Sequence, residues 1–192
     1  MDRKNTTIAL ALTLAGLVLP AAYAAAQPRT ELRDPLRGVS FHSIELSEGP
    51  LNELEIIEGS FADTDRLTLG LSALVFDGSP NADEYVLWIR HEGRRWLDFG
   101  TGIPVVVSVD GKPFPLAQVR APQPFVGDGS RLFEKIEFHL SEPELALLLD
   151  AQSVRVRLQS GNGIADKRLT NEELRRAESF YESISVRSGD TS

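Results

Sequence analysis

The chain of 192 residues carries a formal net charge of −8, has 42% hydrophobic residues and contains no cysteine. Its length fits one domain, and its apolar fraction is typical of a globular protein rather than a disordered one. The lack of cysteine excludes disulfides, thiol nucleophiles and thiolate zinc sites. The acidic balance argues against a broad nucleic-acid-binding surface, which needs clustered lysine and arginine.

The N-terminus has the pattern of an export signal. Arg3 and Lys4 precede an apolar run at residues 8–19, which is too short to span a bilayer as a helix. Small residues within 22–26 then provide cleavage sites. We therefore expect residues 1–26 to be a signal peptide. The rest of the chain has no long apolar segment, so we expect a periplasmic or extracellular protein that does not insert into the membrane.

The remaining chain predicts a single domain. Residues 27–38, in which prolines lie among charges, predict an extended lead-in. Residues 39–186 predict one β-rich domain, and residues 187–192 a flexible tail.

Alternation of apolar and polar residues predicts the first strands. It begins at Val39, and one slip suggests a β-bulge near Ser43. Residues 54–57 form a short second candidate. Residues 67–75 alternate without interruption and predict a central strand.

A hairpin is predicted around Asp110 and Gly111. A two-residue turn of the primed type pairs Val109 with Lys112, Val107 with Phe114 and Val105 with Leu116. Because prolines at positions 113 and 115 cannot donate to a ladder, we expect the second strand to lie at a sheet edge.

A second hairpin is predicted over residues 85–99. A three-residue loop ending at Gly93 places glycine where a bulged turn needs positive φ. A two-residue turn is the competing register, and it would mix the apolar and polar faces. In the first register the two tryptophans form a cross-strand pair flanked by two arginines, with Trp88 opposite Trp96 and Arg90 opposite Arg94.

The C-terminal third predicts two helices and two strands. Ser-x-x-Glu and Thr-x-x-Glu capping boxes begin the helices, which we place at residues 142–150 and 171–184. Strands are expected at 132–140 and at 154–158, the latter with Arg155 and Arg157 facing outward. The link between these strands allows either a parallel crossover or a jump between two sheets. The pattern predicts a mainly β fold, either a β-sandwich or a bent antiparallel sheet, with α+β as the alternative.

No catalytic, metal or cofactor residues are assigned from the sequence. His42 and His139 are expected to face away from apolar strand faces, and His91 to lie in a hairpin loop. Oxygen-bearing side chains recur every second residue at 77–83, as at the start of a calcium loop, but Ala82 replaces the required glycine. A Gly-x-Ser pattern at residues 70–72 lies inside a strand rather than at a nucleophile elbow.

Trp88, Trp96, Arg90 and Arg94 are the candidate binding residues, because tryptophan and arginine are enriched at binding hot spots. The competing interpretation places the tryptophans in the core, covered by the C-terminal helix or by the opposing sheet. The sequence thus favours an exported, non-enzymatic module that binds an envelope protein or a polysaccharide, with no nucleic acid and no cofactor. A periplasmic or extracellular hydrolase with an unidentified active site is the alternative.

Overall fold

The computed structural model describes residues 30–79, 81–97 and 105–187, so the predicted signal peptide and the tail beyond residue 187 lie outside the described residues. Within this part, the first six strands are β1 Thr30–Asp34, β2 Val39–Pro50, β3 Glu55–Gly59, β4 Arg66–Phe76, β5 Glu84–Gly93 and β6 Val105–Val109. The next strands are β7 Lys112–Phe114, β8 Ala117–Val126, β9 Leu132–Leu140, β10 Val154–Ser160 and β11 Gly163–Arg168. The helices are α1 Glu142–Leu149 and α2 Asn171–Arg187, and short 3₁₀ turns cover Leu51–Glu53 and Asp128–Ser130.

The strands form two antiparallel sheets. Sheet A has the order β1-β2-β4-β5-β9-β8, and sheet B has the order β3-β11-β10-β6-β7. Apolar side chains from both sheets and from both helices join one buried cluster. The predicted mainly β fold is confirmed.

The interior of sheet A contains the predicted central strand. β4 lies between β2 and β5, and residues 67–73 are buried on both faces of the sheet. The β-bulge of β2 falls between Glu45 and Ser47 rather than near Ser43. Part of the predicted lead-in is β1, which pairs with β2 at the sheet edge. Two strands, β8 and β11, were not predicted.

The hairpin at Asp110 and Gly111 is confirmed. Both turn residues have positive φ, 49° and 77°, and Val107 pairs with Phe114 as expected. The predicted pair of Val105 with Leu116 is not formed, because β7 ends at Phe114. Asp110 also fixes the turn to the neighbouring strand, because its N–H donates to the Ser153 carbonyl at 2.9 Å. Pro113 lies in β7, an edge strand of sheet B, where its missing N–H leaves no ladder bond unmade.

The hairpin predicted over residues 85–99 is wrong. β5 pairs on one side with β4 and on the other with β9, and its final residue, Gly93, lies opposite Leu132. Gly93 is a strand residue without positive φ rather than a turn residue. The prediction paired β5 with the residues that follow Gly93. In the structure β9, which comes later in the chain, occupies that position beside β5.

Both helices begin at the predicted caps. Ser141 N–H donates to Glu144 Oε2 at 2.8 Å, and Thr170 N–H donates to Glu173 Oε2 at 2.6 Å. α1 connects β9 of sheet A to β10 of sheet B, so the link is a jump between sheets. The spacing of apolar residues predicts Leu174, Ala177, Tyr181 and Ile184 as the buried stripe of α2; in the structure Phe180 is buried as well, and Tyr181 is only partly buried. In the described part of the chain, neither helix combines the length and the apolar character that a membrane crossing needs.

Candidate functional site

The four predicted binding residues occupy two different places. Trp88 and Arg90 lie within β5, whereas Arg94 and Trp96 follow the end of that strand. Because β5 pairs with β4 and β9, Trp88 does not face Trp96 across a hairpin; the residue opposite Trp88 on β9 is Glu137. Trp88 is 5% exposed and Trp96 is 40% exposed. The predicted cross-strand pair is therefore wrong, and the two tryptophans have different surroundings.

Trp88 is buried on the outer face of sheet A, meaning the face turned away from the common core. Its indole lies flat over Gly70, where an added Cβ would be 2.0 Å from Trp88 Cζ2. The guanidinium of Arg90 and the ammonium of Lys135 approach the ring to 5.9 and 5.2 Å. Helix α2 does not cover it, because α2 contacts Tyr85 on the opposite face of β5. Trp88 is thus enclosed by its own sheet and by flanking cations.

Arg90 is engaged inside the same face of the sheet. Its Nη2 donates to Glu45 Oε1 and to Thr68 Oγ1, both at 3.3 Å. These partners lie on β2 and β4, so the arginine joins three neighbouring strands. Trp88 and Arg90 are thus held within sheet A by contacts with the neighbouring strands, with Trp88 buried and Arg90 partly exposed.

The residues after β5 form an exposed segment, residues 94–97, which we call the arginine–tryptophan segment. Arg94, Arg95 and Trp96 are exposed, while Leu97 is fully buried and anchors the segment in the core. Within the part of the chain that the structure describes, neither Arg94 nor Arg95 makes an ion pair. The segment therefore presents two cations and an indole side by side.

Three hydrogen bonds hold the backbone of this segment. Leu97 N–H donates to Glu134 Oε2 at 2.5 Å, and the Leu97 carbonyl accepts from Gly161 N–H at 3.3 Å. The Trp96 carbonyl accepts from the Asn162 side-chain amide at 3.0 Å. Glu134 belongs to sheet A, and the turn at 161–162 joins two strands of sheet B. The segment is thus tied to both sheets.

Glu134 itself belongs to a buried polar triad, defined by Asp65, His91 and Glu134. His91 Nδ1 lies 3.3 Å from Glu134 Oε2, and His91 Nε2 lies 3.6 Å from Asp65 Oδ1. All three side chains are buried, the imidazole completely. The triad places the imidazole within ion-pairing distance of two carboxylates, and one of those carboxylates receives the Leu97 N–H.

Gly93 makes room for this triad. A Cβ on Gly93 would lie 2.3 Å from Asp65 Oδ1 and 2.7 Å from His91 Nε2. The glycine that we assigned to a turn is therefore required for close packing between a strand and the buried polar triad. The predicted loop position of His91 is also wrong, because β5 continues to Gly93 and His91 lies within the strand.

The other two histidines differ from each other. His42 is buried and lies 3.9 Å from Glu31, so its predicted outward orientation is wrong. His139 is exposed as predicted and lies 3.3 Å from Glu84. Among the described residues, no group of three or more His, Cys, Asp and Glu side chains is arranged to hold a metal ion.

The calcium-like spacing at residues 77–83 belongs to an ordinary strand connection. Asp83 Oδ2 accepts the Phe76 N–H at 2.8 Å, Asp83 Oδ1 accepts the Ser79 hydroxyl at 2.9 Å, and Asp77 pairs with Arg33 at 3.1 Å. The carboxylate oxygens of Asp77 and Asp83 thus bind groups of the turn and of the neighbouring strand.

A small depression near the bulge of β2 contains two carboxylates, Glu48 and Glu53, in a volume of about 160 Å³. Glu48 is already paired with Arg66 at 3.1 Å, which leaves it poorly placed for acid–base chemistry. The triad is sealed from solvent and has no access for a substrate. The hydrolase alternative therefore stays a prediction, and neither the depression at Glu48 and Glu53 nor the buried triad supports it.

Comparisons of the chain with protein-family models, with curated protein sequences and with solved structures find no match. The case for a function therefore depends on the geometry of the site.

Proposed function

We propose that this protein is an exported, non-enzymatic module that binds an acidic protein of the cell envelope through the arginine–tryptophan segment. One observation carries the proposal: Arg94, Arg95 and Trp96 are exposed together on a backbone that three hydrogen bonds hold in place. The export signal expected over residues 1–26 supports the envelope location.

The residue types favour a protein partner. Tryptophan and arginine are over-represented among the residues that dominate protein–protein binding energy. Trp96 offers a large apolar surface with one N–H donor, and each arginine offers five donors in a planar fork. Hydrogen bonds fix the backbone at Trp96 and Leu97 before binding, so the indole needs little further backbone ordering when a partner docks.

The charge of the segment favours an acidic partner. Arg94 and Arg95 are adjacent and exposed in a chain whose net charge is −8. At physiological salt the Debye length is about 8 Å, so a partner at this surface senses the nearby arginines more than distant acidic residues. Carboxylates pair with arginine in bidentate geometry, which adds directional preference to the attraction.

The proposal is tested by capture from an envelope extract on immobilised protein. The site variant is Arg94→Gln/Trp96→Ala, and the control variant is Arg37→Gln/Phe76→Ala. The control is matched because Phe76 is 45% exposed, similar to Trp96. It lies at the opposite end of sheet A, roughly 30 Å away along β5.

We expect the wild type and the control variant to retain an acidic protein that raised salt releases. We expect the site variant to lose at least tenfold in recovery, since hot-spot residues typically contribute 2 kcal/mol or more, which is about thirtyfold in affinity. Equal recovery by a folded site variant would overturn the proposal. If the immobilised protein still retains material from a protease-treated extract, but retains none from an extract oxidised with periodate, the ligand is a polysaccharide instead.

A further inference from the structure

The outer face of sheet B carries a second cluster of cations, distinct from the arginine–tryptophan segment. Arg155 and Arg157 project outward from β10, and Arg168 lies beside Arg155 on β11. The three guanidinium groups border a depression of about 370 Å³, together with Ser108, Ser153 and Pro113. We infer that this depression, which we call the arginine pocket, binds an oxyanion group.

A buried carboxylate orients two of the three arginines. Asp166 is 1% exposed; its Oδ1 accepts from Arg157 Nε at 2.7 Å, and its Oδ2 accepts from Arg157 Nη2 at 2.9 Å and from Arg155 Nη1 at 3.1 Å. A guanidinium has five N–H donors, so each arginine keeps donors that Asp166 does not use. Both side chains border the pocket, which makes these donors available to a ligand there.

The charge around the pocket is positive. Among the described residues, none of those that line it is an aspartate or glutamate, and Asp166 is shared between two arginines. Glu55 lies opposite Asp166 on β3, on the other side of β11 from β10, and its charge acts on Arg157. Within the described part of the chain, Arg168 makes no ion pair. The arginines therefore exceed the carboxylates that contact them.

The donor set indicates the ligand chemistry. Fixed guanidinium groups match the geometry of carboxylate, phosphate and sulfate oxygens, and hydroxyl groups such as those of Ser108 and Ser153 add neutral donors. The pocket lies on an open sheet face, so the anion can be free or can belong to a larger molecule. The shared requirement is a group with at least two oxygens that accept from Arg155, Arg157 and Arg168.

The test is a titration of the full-length chain with inorganic phosphate, sulfate and acetate, followed by NMR of the arginine Nε–H resonances. Arg168→Gln removes one cation without touching Asp166. Arg37→Gln, in the turn between β1 and β2 of sheet A, makes the same change in net charge outside sheet B. Ser108→Asp places a carboxylate in the pocket while keeping all three arginines.

We expect at least one of the three anions to cause saturable shifts of the Arg155 and Arg157 resonances. Arg168→Gln should weaken its binding about tenfold, and Ser108→Asp should abolish it, while Arg37→Gln leaves it unchanged. Stronger binding of phosphate or sulfate than of acetate would identify a tetrahedral ligand, and the reverse order a carboxylate. The absence of saturable shifts, or equal weakening by Arg168→Gln and Arg37→Gln, would overturn the inference. If Arg168→Gln does not fold, Ser108→Asp is the test: loss of anion binding supports the inference, and unchanged binding overturns it.

Discussion

Trp88 owes its position to a single missing side chain on the neighbouring strand. Gly70 lies opposite Trp88 in the register of β4 and β5, and the indole fills the space above it. Arg90 and Lys135 then cover the ring with cations, an arrangement that contributes about 0.5–2 kcal/mol for each contact. Trp96 has no such enclosure because the chain has already left the sheet.

We predict that Gly70→Ala displaces the indole of Trp88 and lowers the free energy of unfolding by about 1–3 kcal/mol, as overpacking does. Urea unfolding followed by tryptophan fluorescence measures the loss. Gly49→Ala is the matched control, because that glycine is also in a strand of sheet A and no atom lies within 4 Å of an added Cβ. Equal stability of the two variants would contradict the packing described here.

The buried triad makes a similar prediction for His91. His91→Leu leaves Asp65 and Glu134 buried beside an apolar side chain, and a buried polar group that loses its partner costs about 1–3 kcal/mol. His139→Leu changes an exposed histidine and should cost less than about 1 kcal/mol. The measurement is equilibrium denaturation of both variants. A loss of the same size in both would show that the triad contributes no special stability.

Glu134 shows which features of the triad can be predicted from the pattern of residues and which cannot. It lies on the apolar face of the predicted strand 132–140, which already indicates a buried carboxylate. Its partners could not be predicted, because Asp65 and His91 lie on other segments, and only the pairing of β5 with β9 brings the imidazole beside Glu134. Sequence spacing carries no signal for such a contact.

At the scale of elements, features fixed by neighbouring residues were predictable and long-range pairings were not. The turn at Asp110 and Gly111 and the two helix caps each depend on a few adjacent residues. The partner of β5 depends on which strand best packs against the common core, and that strand comes much later in the chain. Local sequence favoured a hairpin between β5 and the residues directly after it, and this pairing is wrong.

The cap of α1 gives a prediction at this scale. Hydrogen bonds from the Ser141 hydroxyl and N–H hold the pKa of Glu144 below its ordinary value. Ser141→Ala should lower the free energy of unfolding by about 1 kcal/mol at neutral pH. The difference from the wild type should shrink as pH falls through the pKa of Glu144, because protonation removes the charged acceptor. A pH-independent difference would contradict the role of the carboxylate.

At the scale of the whole molecule, stability without disulfides rests on one core shared by two sheets. Ion pairs supplement it, and on sheet B the buried carboxylate of Asp166 pairs with Arg155 and Arg157. Hydrogen bonds from Arg157, aided by the charges of Arg157 and Arg155, lower the pKa of Asp166. The unfolded chain therefore binds this proton more readily, and the stabilisation is present at neutral pH and lost in acid.

We predict that Asp166→Asn lowers the free energy of unfolding by about 2 kcal/mol at pH 7 and flattens its decline below about pH 4. Thermal unfolding of the wild type and the variant between neutral and acidic pH measures both effects. An unchanged slope in acid would show that Asp166 is not among the groups that cause acid destabilisation.

The binding proposal depends on one structural difference: Trp96 reaches solvent beside two exposed arginines, and Trp88 does not. Collisional quenching of fluorescence in Trp88→Phe and Trp96→Phe measures this directly, because each variant keeps one tryptophan. We predict that acrylamide quenches Trp96 several-fold more than Trp88, and that iodide quenches Trp96 more than caesium does, since Arg94 and Arg95 attract anions. Equal quenching of the two tryptophans, or a preference of Trp96 for caesium, in folded variants would contradict the account.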